Sequence, residues 1–220
     1  MTRDRAGRSE QGSALLLAII LTVLLAAVGA AAMLAGHSET LIAAHFRQGH
    51  EAVYVAEGAL SRAIRDIADL PAWTAILSGV ATSTFVDGPS DVSKRLPTGG
   101  MVVLCCGGSS QTVNLQVRGN GAGDWGANTP QWRIYSWGPA SAWLPDGNIQ
   151  SVFYTVVWAS DDVADGDGDP AVDSNGTIAL NSLAIGPQGA RRAVHALVQR
   201  VATGGGQPRV RVLSSRETRW

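Results

Sequence analysis

Residues 13–36 form an apolar run without a single charged side chain, SALLLAIILTVLLAAVGAAAMLAG. As a helix rising about 1.5 Å per residue, the run would reach about 36 Å and cross a hydrocarbon core of about 30 Å. It is longer than the apolar core of a removable secretory signal, which has about 7–15 residues. We therefore expect a transmembrane helix over residues 13–36 that stays in the mature protein.

Basic residues flank this run on one side only. Arg3, Arg5 and Arg8 precede it, and the next arginine or lysine in the chain is Arg47. Because basic residues concentrate on the cytoplasmic side of a membrane span, the bias places the N-terminus in the cytoplasm. We therefore expect a single-pass protein that contacts the lipid bilayer and carries the rest of its chain outside the cytoplasm.

The helical pattern continues beyond the apolar run, over residues 37–70. Apolar side chains recur there every three or four positions, and charged side chains mostly fill the other positions. The predicted stripe comprises Leu41, Ala44, Gln48, Ala52, Val55, Ala59, Leu60, Ala63, Ile64 and Ile67. Pro71 ends the pattern, since proline breaks a helix interior. Residues 37–70 are thus the predicted amphipathic half of one helix that starts at Ser13.

Small residues are frequent in the second part of the apolar run, and Gly29 and Gly36 are among them. Small side chains let two helices approach closely inside a membrane. The same residues are also tolerated by lipid without any such contact. Composition alone leaves both interpretations open.

Residues 71–220 have the texture of a β-rich domain, in which short β-branched runs alternate with glycine-rich and asparagine-rich turns. The candidate strands are residues 101–106, 112–119, 131–139, 149–160, 177–187, 191–202 and 208–215. The last four are expected to form a consecutive antiparallel meander, with 149–160 covered on both faces. The predicted fold class is α+β, with the long helix packed on an antiparallel sheet.

Charge and motifs exclude several function classes. The formal net charge is −1, so no basic excess attracts nucleic acid, and we expect no nucleic-acid partner. The chain has no phosphate-binding P-loop, no dinucleotide fingerprint, no G-x-S-x-G elbow and no HExxH zinc motif. We therefore expect no catalytic residues and no enzymatic activity.

An acidic, glycine-rich stretch follows one of the candidate strands. Its carboxylates are Asp161, Asp162, Asp165, Asp167, Asp169 and Asp173. Alternating carboxylates of this kind can surround a hard cation such as Ca²⁺ with oxygen ligands. The stretch is not an EF-hand, because Pro170 stands where that loop needs glycine. Either a Ca²⁺ site or a solvated acidic loop fits the pattern, and no other cofactor is expected.

Cys105 and Cys106 are adjacent and are the only cysteines of the chain. Outside the cytoplasm, thiols oxidise readily. The pair is a candidate vicinal disulfide, and the alternatives are a buried reduced pair or a link to another molecule. Metal binding by two adjacent cysteines alone is not expected.

The order of these segments resembles a type IV prepilin: a short basic leader, a glycine, an uncharged helix and a sheet domain. Within that group, residues 8–68 resemble the N-terminal region of PilX-like minor pilins, including the segment YVAEGAL at 54–60. The C-terminal pattern WASDD…DGDPAVDSNGTIAL…GPQGARRAV is similar to PilX-like proteins as well.

This resemblance implies a leader peptide, residues 1–12, that a prepilin peptidase removes by cutting between Gly12 and Ser13, followed by methylation of the new amino group. It also implies a polymerisation helix with Leu17, Gly29, Gly36 and Glu57 as residues of interest. The expected partners are other major and minor pilins and the inner-membrane assembly platform. The implied location is the inner membrane and then the pilus at the cell surface.

One residue departs from the pattern of major pilins, which usually carry a glutamate at the fifth position after the cut. In this chain that position is Leu17. Pseudopilins of the GspK type also lack this carboxylate, and they are expected at a filament tip or in an initiating complex. The resemblance therefore implies a minor subunit with a priming or tip role. A minor pseudopilin of type II secretion, and an enzyme or ligand-binding domain on an uncleaved anchor, are the alternatives.

Overall fold

A single α-helix, α1, spans Ala6–Ala68 in the computed structural model, which describes residues 6–120, 126–143, 151–201, 209–218 and 220. The one long helix expected from the sequence is thus present, but it already includes residues 6–12, ahead of the predicted start at Ser13. Residues 6–11 contain neither proline nor a β-branched side chain, so nothing in them stops the helix earlier. The chain divides into two compact units, Met1–Arg47 and Gln48–Trp220, and the division falls within α1.

In the first unit, every residue from 12 to 43 is exposed. Among the described residues, α1 is the one helix long and apolar enough to cross a membrane. Leu15, Leu17 and Leu34 illustrate this exposure at 65%, 64% and 72%. Such a surface is unfavourable in water, because apolar area costs about 25 cal/mol per Å² when it is left hydrated.

In the second unit, one face of α1 is part of the protein core. Its buried side chains are Ala52, Ala56, Ala59, Leu60, Ala63 and Ile67. Five of the stripe positions predicted from periodicity are among them. The helix ends before Pro71, and Trp73 donates a hydrogen bond from its indole nitrogen to the carbonyl oxygen of Ile67 at 2.9 Å. A short helix, α2, follows at Thr74–Leu77 and buries Ile76 and Leu77.

The remaining elements lie in the same unit. A small antiparallel pair, β1 (Lys94–Arg95) and β2 (Met101–Val102), precedes a helix, α3 (Gln111–Asn120). The main strands are β3 (Arg133–Pro139), β4 (Tyr154–Asp161), β5 (Thr177–Ile185), β6 (Arg191–Val201) and β7 (Arg209–Thr218). Among the described residues they form one sheet in the order β3-β4-β5-β6-β7, with antiparallel neighbours throughout. The predicted meander is thus confirmed, with β3 added to it.

The sheet is covered on both faces, as expected for its central strands. All residues of β4 and β5 are buried. On one face, Val157, Leu180 and Ala196 pack with the stripe of α1 and with α2. On the other face, Trp158 and Leu183 pack with side chains from β2, α3 and the segment between them. The architecture is therefore α+β, with layers on each side of a twisted antiparallel sheet.

Two strand predictions are wrong. Residues 112–119, predicted as a strand, lie in α3, and of residues 101–106 only Met101 and Val102 form a strand. The alternation of Val113, Leu115 and Val117 suggested a strand. Ser110 caps the start of the helix, since its hydroxyl accepts a hydrogen bond from the backbone amide of Val113 at 3.3 Å.

The outer edge of β3 is covered by the segment 83–87. The backbone amides of Ser83 and Asp87 donate to the carbonyl oxygens of Tyr135 and Trp137, each at 2.9 Å. This segment was not predicted, since it pairs with β3 too briefly to form a strand of its own. It removes one exposed sheet edge, which would otherwise be a template for association.

Candidate functional site

The residues of interest in the N-terminal half of α1 lie on the surface of the first unit. Gly12, Ser13, Leu17, Gly29 and Gly36 are all exposed. A Cβ atom built on any of the three glycines meets no atom of the described residues within 4 Å. A requirement for glycine at these positions would therefore come from a partner of the helix rather than from the fold.

Glu57 lies further along α1, where exposed and buried positions of the helix surface meet. Its side chain is exposed, whereas its neighbour Ala56 is fully buried. Gly58, on the other side, is close to the ring of Trp143, which a Cβ atom would meet at 3.0 Å. The carboxylate of Glu57 is thus presented to solvent from a helix that is fixed by its opposite face.

The acidic stretch lies between β4 and β5, and it gathers three of its six predicted carboxylates. One oxygen from each of Asp161, Asp165 and Asp167 lies within 4.8 Å of the other two. Asp161, the last residue of β4, is only 3% exposed, and Asp165 is 2% exposed, whereas Asp167 is exposed. The stretch is therefore not a fully solvated loop, because three of its charged groups, Asp161, Asp162 and Asp165, are buried.

Hydrogen bonds from the second part of the loop hold two of the carboxylates in place. Asp165 accepts bonds from the amide and hydroxyl of Ser174, the former at 2.8 Å, and from the amide of Asn175 at 3.3 Å. Burial alone would raise the pKa of Asp165, but these hydrogen bonds outweigh it and lower the pKa. Asp162 accepts from the side-chain amide of Asn175 at 2.8 Å and from the backbone amide of Ala164 at 3.0 Å.

Asp161 differs from its neighbours because it lacks a complete set of partners. Its Oδ1 atom is buried and accepts no hydrogen bond from any residue that the structure describes. Burial raises the pKa of the Asp161 carboxyl to about 7; a hydrogen bond from the backbone of Asp162 opposes this shift, and the nearby charges of Asp165, Asp162 and Asp167 reinforce it. Among the described carboxylates of the loop, it is the one with a buried oxygen that lacks a hydrogen-bond donor.

The other two aspartates of the stretch serve the loop itself. Asp169 is exposed and accepts a hydrogen bond from the amide of Ala171 at 3.0 Å. Asp173 accepts from the amides of Gly176 at 2.7 Å and Thr177 at 3.2 Å, at the turn into β5. Burial raises the pKa of Asp173. Neither residue belongs to the group of three carboxylates.

Ser174 and Asn175 were not expected to order the acidic group, although both do so through Asp162 and Asp165. The signal was present in the sequence as Asp173-Ser174-Asn175-Gly176, which is a typical turn. The turn places these two residues against Asp162 and Asp165 at the start of the loop. Their distance along the sequence does not predict this contact.

The stability of the metal-free protein is expected to depend on the pH through Asp161. Its pKa rises from 3.8 in the unfolded chain to about 7 in the fold. The fold therefore binds the proton more tightly, and its stability falls as the pH rises between about 4 and 7. Urea unfolding of the full chain in detergent with EDTA measures this. The variant Asp161→Asn is expected to lose part of the slope, whereas Asp169→Asn retains it; equal slopes in all three proteins would contradict the prediction.

Cys105 and Cys106 are joined by a disulfide in the structure. They lie between β2 and α3, where Cys105 is half-buried against the Trp158 side of the sheet and Cys106 is exposed. Cys106 has a φ of 78°, in the left-handed region that L residues rarely adopt. The bonded pair thus forms the turn that leads the chain from the sheet into the capped start of α3.

Comparison with known proteins found no matching family model, no matching curated protein and no matching solved structure.

Proposed function

We propose that the protein is a minor pilin-like subunit that takes part in the assembly of a type IV pilus, in a priming or tip complex. The observation that carries this proposal is the division of α1 into two surfaces. Residues 12–43 expose every side chain, whereas Ala52, Ala56, Ala63 and Ile67 are buried in the core of an α+β domain. One unbroken helix thus serves both as an apolar stem and as a layer of the domain.

The apolar stem requires an environment other than water. Leu16, Ile20, Leu24 and Val28 are each more than half exposed in the single chain. Lipid covers such a surface before assembly, and sister helices cover it afterwards, so that transfer between the two environments costs little apolar hydration. The exposed glycines at positions 29 and 36 allow neighbouring helices to approach closely.

Leu17 is consistent with a subunit at the end of a fibre. Its side chain is apolar, 64% exposed and surrounded by other exposed apolar residues. A carboxylate at this position would need a charged partner within an apolar environment, because an unpaired charge is costly there. Leucine needs no such partner, and this supports a low-copy position where one neighbour is absent.

Processing at Gly12 requires the helix to open locally, because Gly12 and Ser13 lie inside α1. A peptidase binds its substrate in an extended form, so a few residues around the cut must unwind. Glycine favours this opening, since it costs a helix about 1 kcal/mol relative to alanine. The absence of a Cβ atom also lets the backbone approach the protease closely.

Substitution of Gly12 by valine is expected to block cleavage without affecting the fold. A Cβ atom at Gly12 meets no atom within 4 Å in the part of the chain that the structure describes, and the same holds for Gly36, which serves as the matched control. The full chain and each variant are produced with a prepilin peptidase and examined by intact-mass spectrometry. We expect the wild type and Gly36→Val to lose residues 1–12 and gain a methyl group. Gly12→Val is expected to keep its full length.

An intact N-terminus in the wild type would overturn the proposal and favour an enzyme or binding domain on an uncleaved anchor. Processing that occurs equally in Gly12→Val would also contradict it. Surface fibres and secreted enzymes are then compared between a strain with and a strain without the protein. Loss of fibres with normal secretion supports a pilus, whereas the reverse result identifies a pseudopilin of a secretion system.

A further inference from the structure

We propose that the carboxylates of Asp161, Asp165 and Asp167 form a binding site for one calcium ion. One oxygen of each lies within 4.8 Å of the other two. Calcium binds oxygen ligands at about 2.3–2.6 Å, so two ligands on opposite sides of the ion are about 5 Å apart. The three oxygens therefore already stand at separations that a single ion spans. The site does not depend on the function proposed above.

Asp161 gives an independent reason to expect a ligand. Its side chain is 3% exposed, and its buried Oδ1 atom has no hydrogen-bond donor among the described residues. Buried polar atoms in native proteins nearly always have a partner, because leaving one without a partner costs free energy. A cation between the three carboxylates supplies the partner that the protein itself does not.

The electrostatics of the group favour the same ligand. No lysine or arginine among the described residues forms an ion pair with any of the three carboxylates. Like charges at these separations repel one another, and burial of two of them reduces the screening by water. A divalent cation converts this repulsion into attraction, and no rearrangement of charged side chains is needed.

The loop also orders one of the ligands before any ion binds. Asp165 is held by the amides of Ser174 and Asn175, and Asn175 further holds Asp162 through its side-chain amide. Farther along the same loop, the amide of Asp173 donates to the hydroxyl of Thr74 in α2 at 3.3 Å. Calcium bound to Asp165 therefore ties the β4–β5 loop, which is in contact with α2, to the end of β4.

The chemical character of the ligands indicates calcium rather than a transition metal. Residues 162–176 contain aspartate, asparagine and serine but neither histidine nor cysteine. Oxygen ligands of this kind suit hard cations, and calcium accepts six to eight of them in flexible geometry. Water and backbone carbonyl groups of the loop complete such a coordination sphere.

The test compares thermal unfolding of the EDTA-treated full chain in detergent with and without calcium. At about 5 mM calcium and an affinity typical of extracellular modules, we expect the unfolding temperature to rise by about 5 °C. Asp161→Asn and Asp167→Asn are expected to lose most of this rise. Asp169→Asn is the matched control, since Asp169 is exposed in the same loop and outside the group, and it is expected to retain the rise.

Isothermal titration with calcium chloride checks binding directly, and we expect the affinity of Asp167→Asn to fall at least about tenfold. Asp167 is exposed, so its replacement leaves the fold intact even where Asp161→Asn impairs folding. No heat and no stabilisation at millimolar calcium would overturn the proposal. An unchanged calcium response in Asp167→Asn, or an equal response of the wild type to magnesium, would overturn it as well.

Discussion

Replacement of Trp158 by alanine is expected to lower the free energy of unfolding by about 3–5 kcal/mol. Trp158 is fully buried in β4 and stacks on Trp220, with ring centroids 5.6 Å apart. Its indole nitrogen donates to the hydroxyl of Thr112 in α3 at 2.8 Å. The change therefore leaves a large cavity and removes one of the contacts that hold α3 against the sheet. Urea unfolding of the full chain in detergent, followed by circular dichroism, measures the loss.

Two variants separate the cavity from the hydrogen bond. Trp158→Phe keeps most of the ring volume and removes only the donor to Thr112, so we expect a loss of about 1–2 kcal/mol. Val117→Ala, on the exposed side of α3, is expected to change stability by less than about 0.5 kcal/mol, since Val117 is 66% exposed. A loss below about 1 kcal/mol for Trp158→Ala would contradict the assignment of α3 as a part of the core.

Replacement of Ala56 by leucine is expected to destabilise the domain by about 3 kcal/mol, because it overpacks the contact between α1 and the sheet. Ala56 is fully buried, and its carbonyl oxygen accepts a hydrogen bond from the hydroxyl of Ser182 in β5 at 2.8 Å. Helix and strand backbones are thus so close at this point that a larger side chain must push them apart. The same unfolding experiment in urea measures the effect.

Ser61→Leu is the matched control for this prediction. It adds the same side chain to the same helix at an exposed position. We expect a change within about 0.5 kcal/mol for this variant. If the two leucines had equal effects, the close approach of α1 to β5 would be contradicted, and helix propensity would explain the result instead.

The sequence predicted α1 and β4 to β7 because each is a long segment with clear boundaries. The stripe that includes Ala52, Ala59 and Ile67 keeps a helical period, and the β-branched strands are separated by clear turns. Such patterns reflect the burial of one or both faces of an element, so they can be recognised without knowing which elements pack against it.

The prediction of α3 as a strand was wrong because its pattern is ambiguous over a short length. Val113, Leu115 and Val117 alternate as in a strand, but only Leu115 of the three is buried. The decisive contacts are tertiary: Thr112 accepts a hydrogen bond from Trp158, and Gln111 accepts one from Trp220 at 3.1 Å. The periodicity of the sequence does not reveal these hydrogen-bond partners.

The acidic loop shows the same limit at the level of the site. Sequence identified six candidate aspartates, and the structure brings together Asp161, Asp165 and Asp167. One part of this selection was accessible, because alternation along β4 places Asp161 on the same face as the buried Val157 and Ala159. The rest depends on how residues 162–176 fold back on themselves, and local propensities do not determine that path.

The continuity of α1 limits how the domain can be released from whatever binds the first half of this helix. Proteins with a tethered domain usually have a linker that proteases can cut, but in this chain the described residues between the apolar stem and the core are helical throughout. Cleavage after Ala68 would separate the sheet from the helix that covers one of its faces, since six core side chains belong to this helix. Release of an intact domain therefore requires either that the whole helix leaves its environment or that α1 itself is cleaved before Ala52.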